Sequence, residues 1–179
     1  ESASVTQEQV RALLEAARWA PSFGNTQPAR YLVGVRGTPA FGEILATLNS
    51  GNQAWAHRAS LLLIGVMVTT NEKGEVPYAE YGLGLASENL VLQAVELGLI
   101  AHQMAGFSPE AVRAAFSLPD DAVPKVAIAV GKPAEPDVLE EDWLATVTPN
   151  EMGKLLEGIE ACTLASKASC DEMKRIMRA

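Results

Sequence analysis

The sequence predicts an α/β or α+β layered domain built around one sheet. Three observations carry that reading. Segments of strand and helix character alternate along the first three quarters of the chain. One of them, residues 60–68, is a continuous apolar run of the kind buried on both faces of a sheet. An amphipathic helix with its own capping box opens the chain.

That helix begins at Thr6-Gln7-Glu8-Gln9, where the Thr6 hydroxyl and the Gln9 amide can satisfy the first free N–H groups. Val10, Leu13, Leu14 and Ala17 follow at i, i+3, i+4 and i+7, so residues 7–19 form one helix with one apolar face. Pro21 stops it. After a polar loop, residues 31–35 read as a strand, and residues 39–48 as a short helix ending near Asn49-Ser50-Gly51. Residues 60–68 are the buried strand. Residues 78–97 are the longest periodic segment, and their small residues (Gly82, Gly84, Ala86, Ser87, Ala94) suit a central helix packed close to its neighbours. Residues 99–104 are a further strand. Ser108 and Pro109 then cap and start a helix to Phe116, and residues 126–131 form a fourth strand.

The chain of 179 residues fits one domain with a short appendage. A net charge of -8 argues against nucleic acid, whose phosphates require a basic face, and offers an anionic membrane nothing. The longest apolar run, residues 61–68, is far short of the roughly 20 residues of a spanning helix. Two cysteines, Cys162 and Cys170, make no disulfide framework, so a reducing cytoplasm is the expected compartment. His57 and His102 are the only histidines, with no acid or thiol at ligand spacing, and no metal site is expected. His102 falls within an apolar strand, as a core or pocket-lining residue does.

The loop between Pro21 and Pro28 has the most unusual makeup. Ser22, Asn25, Thr26 and Gln27 are short, polar and uncharged, and Gly24 lets the backbone approach a ligand. Amide side chains both donate and accept, which suits a ring rich in carbonyl and imide groups. On composition alone the same loop is also a polar turn joining helix to strand.

The stretch Ala16-Ala17-Arg18-Trp19-Ala20-Pro21-Ser22-Phe23-Gly24-Asn25-Thr26-Gln27-Pro28 resembles the signature of the FMN-dependent nitroreductase family. Support comes in order from Tyr31-Leu32-Val33, from Tyr81-Gly82-Leu83-Gly84 through Asn89 to Ala94, and from Gln103-Met104-Ala105-Gly106-Phe107. Leu118-Pro119 and residues 126–133 complete a likeness that runs from residue 7 to about 136. It implies a nitroreductase-like layered α+β fold, with a mostly antiparallel central sheet flanked by helices. It also implies a homodimer with FMN at the interface, in which Pro21, Ser22, Phe23, Asn25 and Gln27 reach the partner's flavin. Asn52 matches the position whose amide holds the pyrimidine end. Trp55 stands where relatives often have Lys, and the turn Met104-Ala105-Gly106 would bring backbone N–H groups to the flavin N5. For the FMN phosphate the candidate cations are Arg30, Arg36, Arg58 and Lys132.

The activity this resemblance implies is hydride transfer from NAD(P)H, via flavin, to a nitroaromatic, quinone or similar small planar acceptor. The flavin carries the chemistry and the protein orients it, so no catalytic side chain is expected. The alternatives are a non-enzymatic flavin or small-ligand binding module, and a cofactor-free dimeric scaffold that kept the fold.

Domain organisation is expected as a flavin-binding domain over 1–136, then a linker and helical extension over 137–179. Thr148 with Glu151 and Ser169 with Glu172 start two capped helices, an atypical C-terminal helical hairpin. Residues 147–158 and 166–177 resemble a segment of class A β-lactamase-like serine hydrolases. They carry none of the Ser-x-x-Lys, Ser-Asp-Asn or Lys-Thr-Gly motifs, so hydrolysis is not implied.

Overall fold

The structure is a computed structural model that describes residues 5–133. The expected helical hairpin, with Cys162, Cys170 and the hydrolase-like segment, lies outside the described residues. Helix α1 spans Gln7–Arg18, with the Thr6 hydroxyl accepting from the Gln9 N–H and the Gln9 side chain accepting from the Thr6 N–H. Strand β1 spans Ala29–Val35, helix α2 Pro39–Thr47 and helix α3 Ser50–Ala56. Strand β2 spans Leu61–Val68, and a small hairpin follows from β3, Thr70–Asn71, and β4, Gly74–Glu75. Helix α4 spans Ala79–Glu96, strand β5 Ile100–Met104, helix α5 Pro109–Phe116 and strand β6 Ala122–Gly131.

The main sheet has the order β1-β2-β6-β5, and every pair is antiparallel. Its two central strands carry the core. Residues 61–66 of β2 are all buried, the continuous burial that the apolar run predicts. Fully burying each large aliphatic of this kind contributes about 1.5–3 kcal/mol.

Alternation along the strands sends successive side chains to opposite faces and divides the core in two. On one face Leu62, Ile64, Val66, Met104 and Ala129 pack with Phe41, Ile44 and Leu48 of α2 and its end, Ala56 of α3 and Val112 of α5. On the other, Leu61, Leu63, Ile128 and Val130 pack with Leu13 and Ala17 of α1 and Ala86, Leu90 and Ala94 of α4. The fold is therefore helices, sheet, helices.

Several boundaries differ from expectation for physical reasons. Helix α3 falls where the sequence reading places no element, just past the expected end of α2. It is only seven residues long and rich in Gly, Asn and Gln, and Asn49 starts it by accepting from the Asn52 N–H. Strand β6 begins four residues early because a bulge opposite Gly65 and Val66 accommodates Pro124 within the ladder. Of the small residues of α4, Gly82 does meet a neighbour, but a Cβ at Gly84 would meet nothing among the described residues.

Candidate functional site

On the α2–α3–α5 face, α3 lies beside the end of β5 and the turn that follows. The Gly106 carbonyl accepts from the Asn49 backbone N–H at 2.9 Å and from the Asn52 side-chain amide at 2.9 Å. A Cβ at Gly106 would fall on the amide nitrogens of both asparagines, so only glycine lets them close over this turn. Of the turn's residues, Met104 is buried and anchors it in the core, Ala105 is exposed, and Gly106 is half-buried. The structure thus brings together Asn52, Met104, Ala105 and Gly106. It also adds Asn49.

One turn along α3, Trp55 is half-buried against the same core and meets His102 of β5 edge-on, with ring centroids 5.2 Å apart and planes at 83°. His102 is exposed on an edge strand, so of the two expected places, core or pocket wall, it is not in the core. Its ring nitrogens have no hydrogen-bond partner among the described residues.

Beyond Trp55 the chain reaches the end of the sheet where β1 and β6 finish and β2 begins. Arg36 donates to the carbonyls of Arg58 and Ala59, and its own N–H to the Ser60 carbonyl. The Ser60 N–H donates to Val130, next to Gly131 and Lys132. Three of the four candidate phosphate cations, Arg36, Arg58 and Lys132, therefore gather at one sheet end. Arg36 is committed to backbone carbonyls, whereas Arg58 and Lys132 form no ion pair among the described residues. From Met104 back to Ile100, beside Gly131, β5 covers about 13 Å.

The Pro21–Pro28 loop lies on the other face. Gly82 of α4 is held against it, since a Cβ there would come to 2.9 Å from the Pro28 ring. Gly24, Asn25 and Gln27 all have positive φ (53°, 56° and 48°), a conformation Asn tolerates and Gln rarely adopts. The Gln27 peptide is pinned from both sides. Its N–H donates to the Ser22 hydroxyl at 2.9 Å, and its carbonyl accepts from Arg30 at 2.8 Å. Such strain is held where the surroundings over-determine it, and it concentrates at binding loops. The Thr26 hydroxyl is buried without a partner among the described residues.

Behind the loop, a cavity of about 260 Å³ is lined by Arg18, Ser22, Gln27, Arg30, Tyr31 and Gly82, among others. Arg18 is bound to Glu15 at 2.6 Å, and together with a hydrogen bond from Trp19 it holds the Glu15 carboxyl down at about 2. Burial pushes the Tyr31 phenol up, against a smaller opposing hydrogen bond with Ser87 at 3.0 Å. Arg30 sits here, far from the other three candidate cations. Phe23 and Tyr78 meet at 5.3 Å and are both exposed, as are Tyr81, Leu92 and Val95 of α4.

The predicted site residues thus fall into two groups. Pro21, Ser22, Phe23, Asn25 and Gln27 lie on the α1–α4 face, and Asn52, Met104, Ala105 and Gly106 on the opposite one. The sheet stands between them. Sequence reasoning passed over Asn49, an N-cap by type, and the pairing of Trp55 with His102, which only the fold creates. Among the described residues there is no cluster of His, Cys, Asp or Glu that could hold a metal, and no helix long and apolar enough to cross a membrane.

The model of the nitroreductase family matches residues 1–40 and 35–132. The chain belongs to the nitroreductase family. A 15.4 kDa protein in the ask 5' region of Mycolicibacterium smegmatis is 36% identical over 110 residues, covering 57% of this chain and 74% of that protein. Among solved structures, an oxidoreductase containing FMN superposes with a TM-score of 0.73 at 28% identity, covering 78% of this chain and 73% of the other. A protein of Desulfovibrio desulfuricans solved in complex with FMN gives 0.61 at 26% identity, covering 83% and 90%. A nitroreductase family protein from Clostridium difficile, at 24% identity, TM-score 0.63 and coverage of 82% and 86%, shares the fold.

Proposed function

We propose that this protein is an FMN-dependent oxidoreductase that moves reducing equivalents from NAD(P)H to a small planar acceptor such as a quinone or nitroaromatic. The observation that carries the reading is the closure of α3 on the turn after β5, the proposed ring-binding trough. The amides of Asn49 and Asn52 crowd the Gly106 turn at one end of β5, and Arg58 and Lys132 flank the sheet end near the other, before β2 and after β6. That donor set fits FMN. An amide meets the donor and acceptor pattern of the pyrimidine edge, and a cation answers a phosphate that would be strongly disfavoured without one. Bound there, FMN would supply the redox chemistry. This chain's part is to orient the ring, cover it from water and stabilise charge at its edge.

Ser22 and Asn25 serve the same ring from a second copy of the chain. Within one chain the sheet separates the loop from the trough, so a homodimer completes the site. The exposed stripe of Tyr81, Leu92 and Val95 supports this, because α4 already buries its opposite side in the core and still presents large apolar residues outward. Gly84 on that stripe leaves room for close approach. The likeness to the FMN-containing structures supports the cofactor. The chain is assigned a cytoplasmic location from its two cysteines, which make no disulfide framework.

FMN titration followed by flavin fluorescence is the test, with NAD(P)H oxidation in the presence of a quinone or nitroaromatic as the second arm. Retention of FMN with acceptor-dependent NAD(P)H oxidation is expected. Protein that neither retains FMN nor oxidises NAD(P)H overturns the reading, and retention without oxidation identifies a flavin-binding module.

A further inference from the structure

Reduction of a flavin by two electrons concentrates negative charge along its N1–C2=O edge, so a donor or cation facing that edge favours the reduced ring. Asn52 supplies one amide in the trough, but that amide already donates to the Gly106 carbonyl. Three donors on this face have no partner among the described residues, the Asn49 side-chain amide, the Trp55 indole N–H and the His102 imidazole, and only the imidazole stands on β5. His102 is exposed, and its ring nitrogens have no partner among the described residues. It lies two residues before the buried Met104 on the same face of β5, one helical turn from Asn52 by way of Trp55. The half-buried indole restrains the imidazole edge-on, leaving a nitrogen free whichever tautomer is present. A lone histidine on an exposed strand is ordinarily solvated. One fixed by an aromatic wall beside the amides of a ring-binding trough is pre-organised instead.

We propose that His102, held by Trp55, donates a hydrogen bond to the pyrimidine edge of the bound flavin and raises its reduction potential. The proposal rests on the reading of the trough as an FMN site. Hydrogen bonds to a charged acceptor are the strong ones, so losing this donor weakens binding of reduced FMN relative to oxidised FMN by roughly tenfold or more. For a two-electron couple, tenfold corresponds to a fall of about 30 mV in the midpoint potential.

The experiment uses the full 179-residue chain loaded with FMN, as wild type and as His102→Phe, which keeps an aromatic ring against Trp55 and suits an exposed strand. Oxidised FMN is expected to lose less affinity in the variant than reduced FMN does, so the midpoint potential of the variant, measured by equilibration with a reference dye, falls by about 30 mV or more. In the wild-type protein, the ring-nitrogen NMR resonances of His102 are expected to move when the bound FMN is reduced. An unchanged potential in the variant, or resonances that do not move on reduction, overturns the proposal and leaves the FMN reading intact. Failure of the wild-type protein to bind FMN overturns both.

Discussion

The two faces of the sheet are built from the same kind of core and present opposite surfaces. On the α2–α3–α5 face the functional groups are committed to one another. Asn52 is tied to Gly106, Asn49 caps α3 and closes on the same turn, and Trp55 packs on the core while holding His102. On the α1–α4 face the loop is strained and its tip is exposed, next to a stripe of large apolar residues left exposed among the described residues. One face ties its polar groups to one another, and the other leaves its loop tip and apolar stripe exposed. A single chain cannot apply both to one ligand, because its own sheet intervenes. Two chains can.

The largest effect is expected where the two faces would meet. Leu92→Glu places a charge on the exposed stripe of α4, and a two-fold interface would bring two such charges together without partners. The variant is expected to sediment as a monomer, to keep the wild-type circular dichroism, and to lose FMN retention although no trough residue has changed. A dimeric, FMN-retaining variant would separate the stripe from the site.

Next is the trough itself. In Gly106→Ala the new Cβ would collide with the Asn49 and Asn52 amides, whose hydrogen bonds limit how far they can move. Overpacking of this kind costs about 1–3 kcal/mol. Displacing Asn52 should also raise the FMN dissociation constant by roughly tenfold, the equivalent of one good hydrogen bond. Chemical denaturation and flavin titration read the two effects separately.

A smaller effect is expected in the loop. Ser22→Ala removes the acceptor of the Gln27 N–H, worth about 1 kcal/mol, and releases the strained segment. FMN affinity should fall by more than global stability does, since the loop is a surface element.

The smallest concerns pH. Burial raises the Tyr31 phenol above its ordinary value of 10.0. The folded state therefore holds that proton more tightly than the unfolded chain. This contribution is fully present below pH 10.0 and is lost as pH rises through the higher folded value. Thermal melts on an alkaline series should show a decline that begins near that pH and is absent in Tyr31→Phe.

The sequence makes the long elements plain and hides the short ones. The capping box at Thr6, the buried run of β2 and the Ser108-Pro109 helix start are strong local signals, and the structure places them as they read. Helix α3 has low intrinsic propensity and is held by its tertiary setting, so periodicity misses it even though Asn49 announces its start. The hairpin of β3 and β4 turns on Gly74, with the Asn71 side chain accepting from the Lys73 N–H, a device only four residues wide. The candidate site was half legible for the same reason. The Pro21–Pro28 loop is contiguous and can be read as a string. The union of Asn49, Asn52, Trp55, His102 and Gly106 depends on α3 lying against β5, and no local pattern encodes that. Nor does any local pattern say that the two groups lie on opposite faces.

That separation admits a direct test. Asn25→Ala disables the loop and Asn52→Ala disables the trough, and each variant alone is expected to lose most of its FMN binding. Mixed under conditions that allow subunits to exchange, they should form hybrid dimers in which one chain's intact trough faces the other's intact loop. Flavin titration of the mixture is then expected to show one restored site in each hybrid dimer. No recovery on mixing, with exchange verified, would mean that each chain builds its site alone, contradicting the division between the two faces.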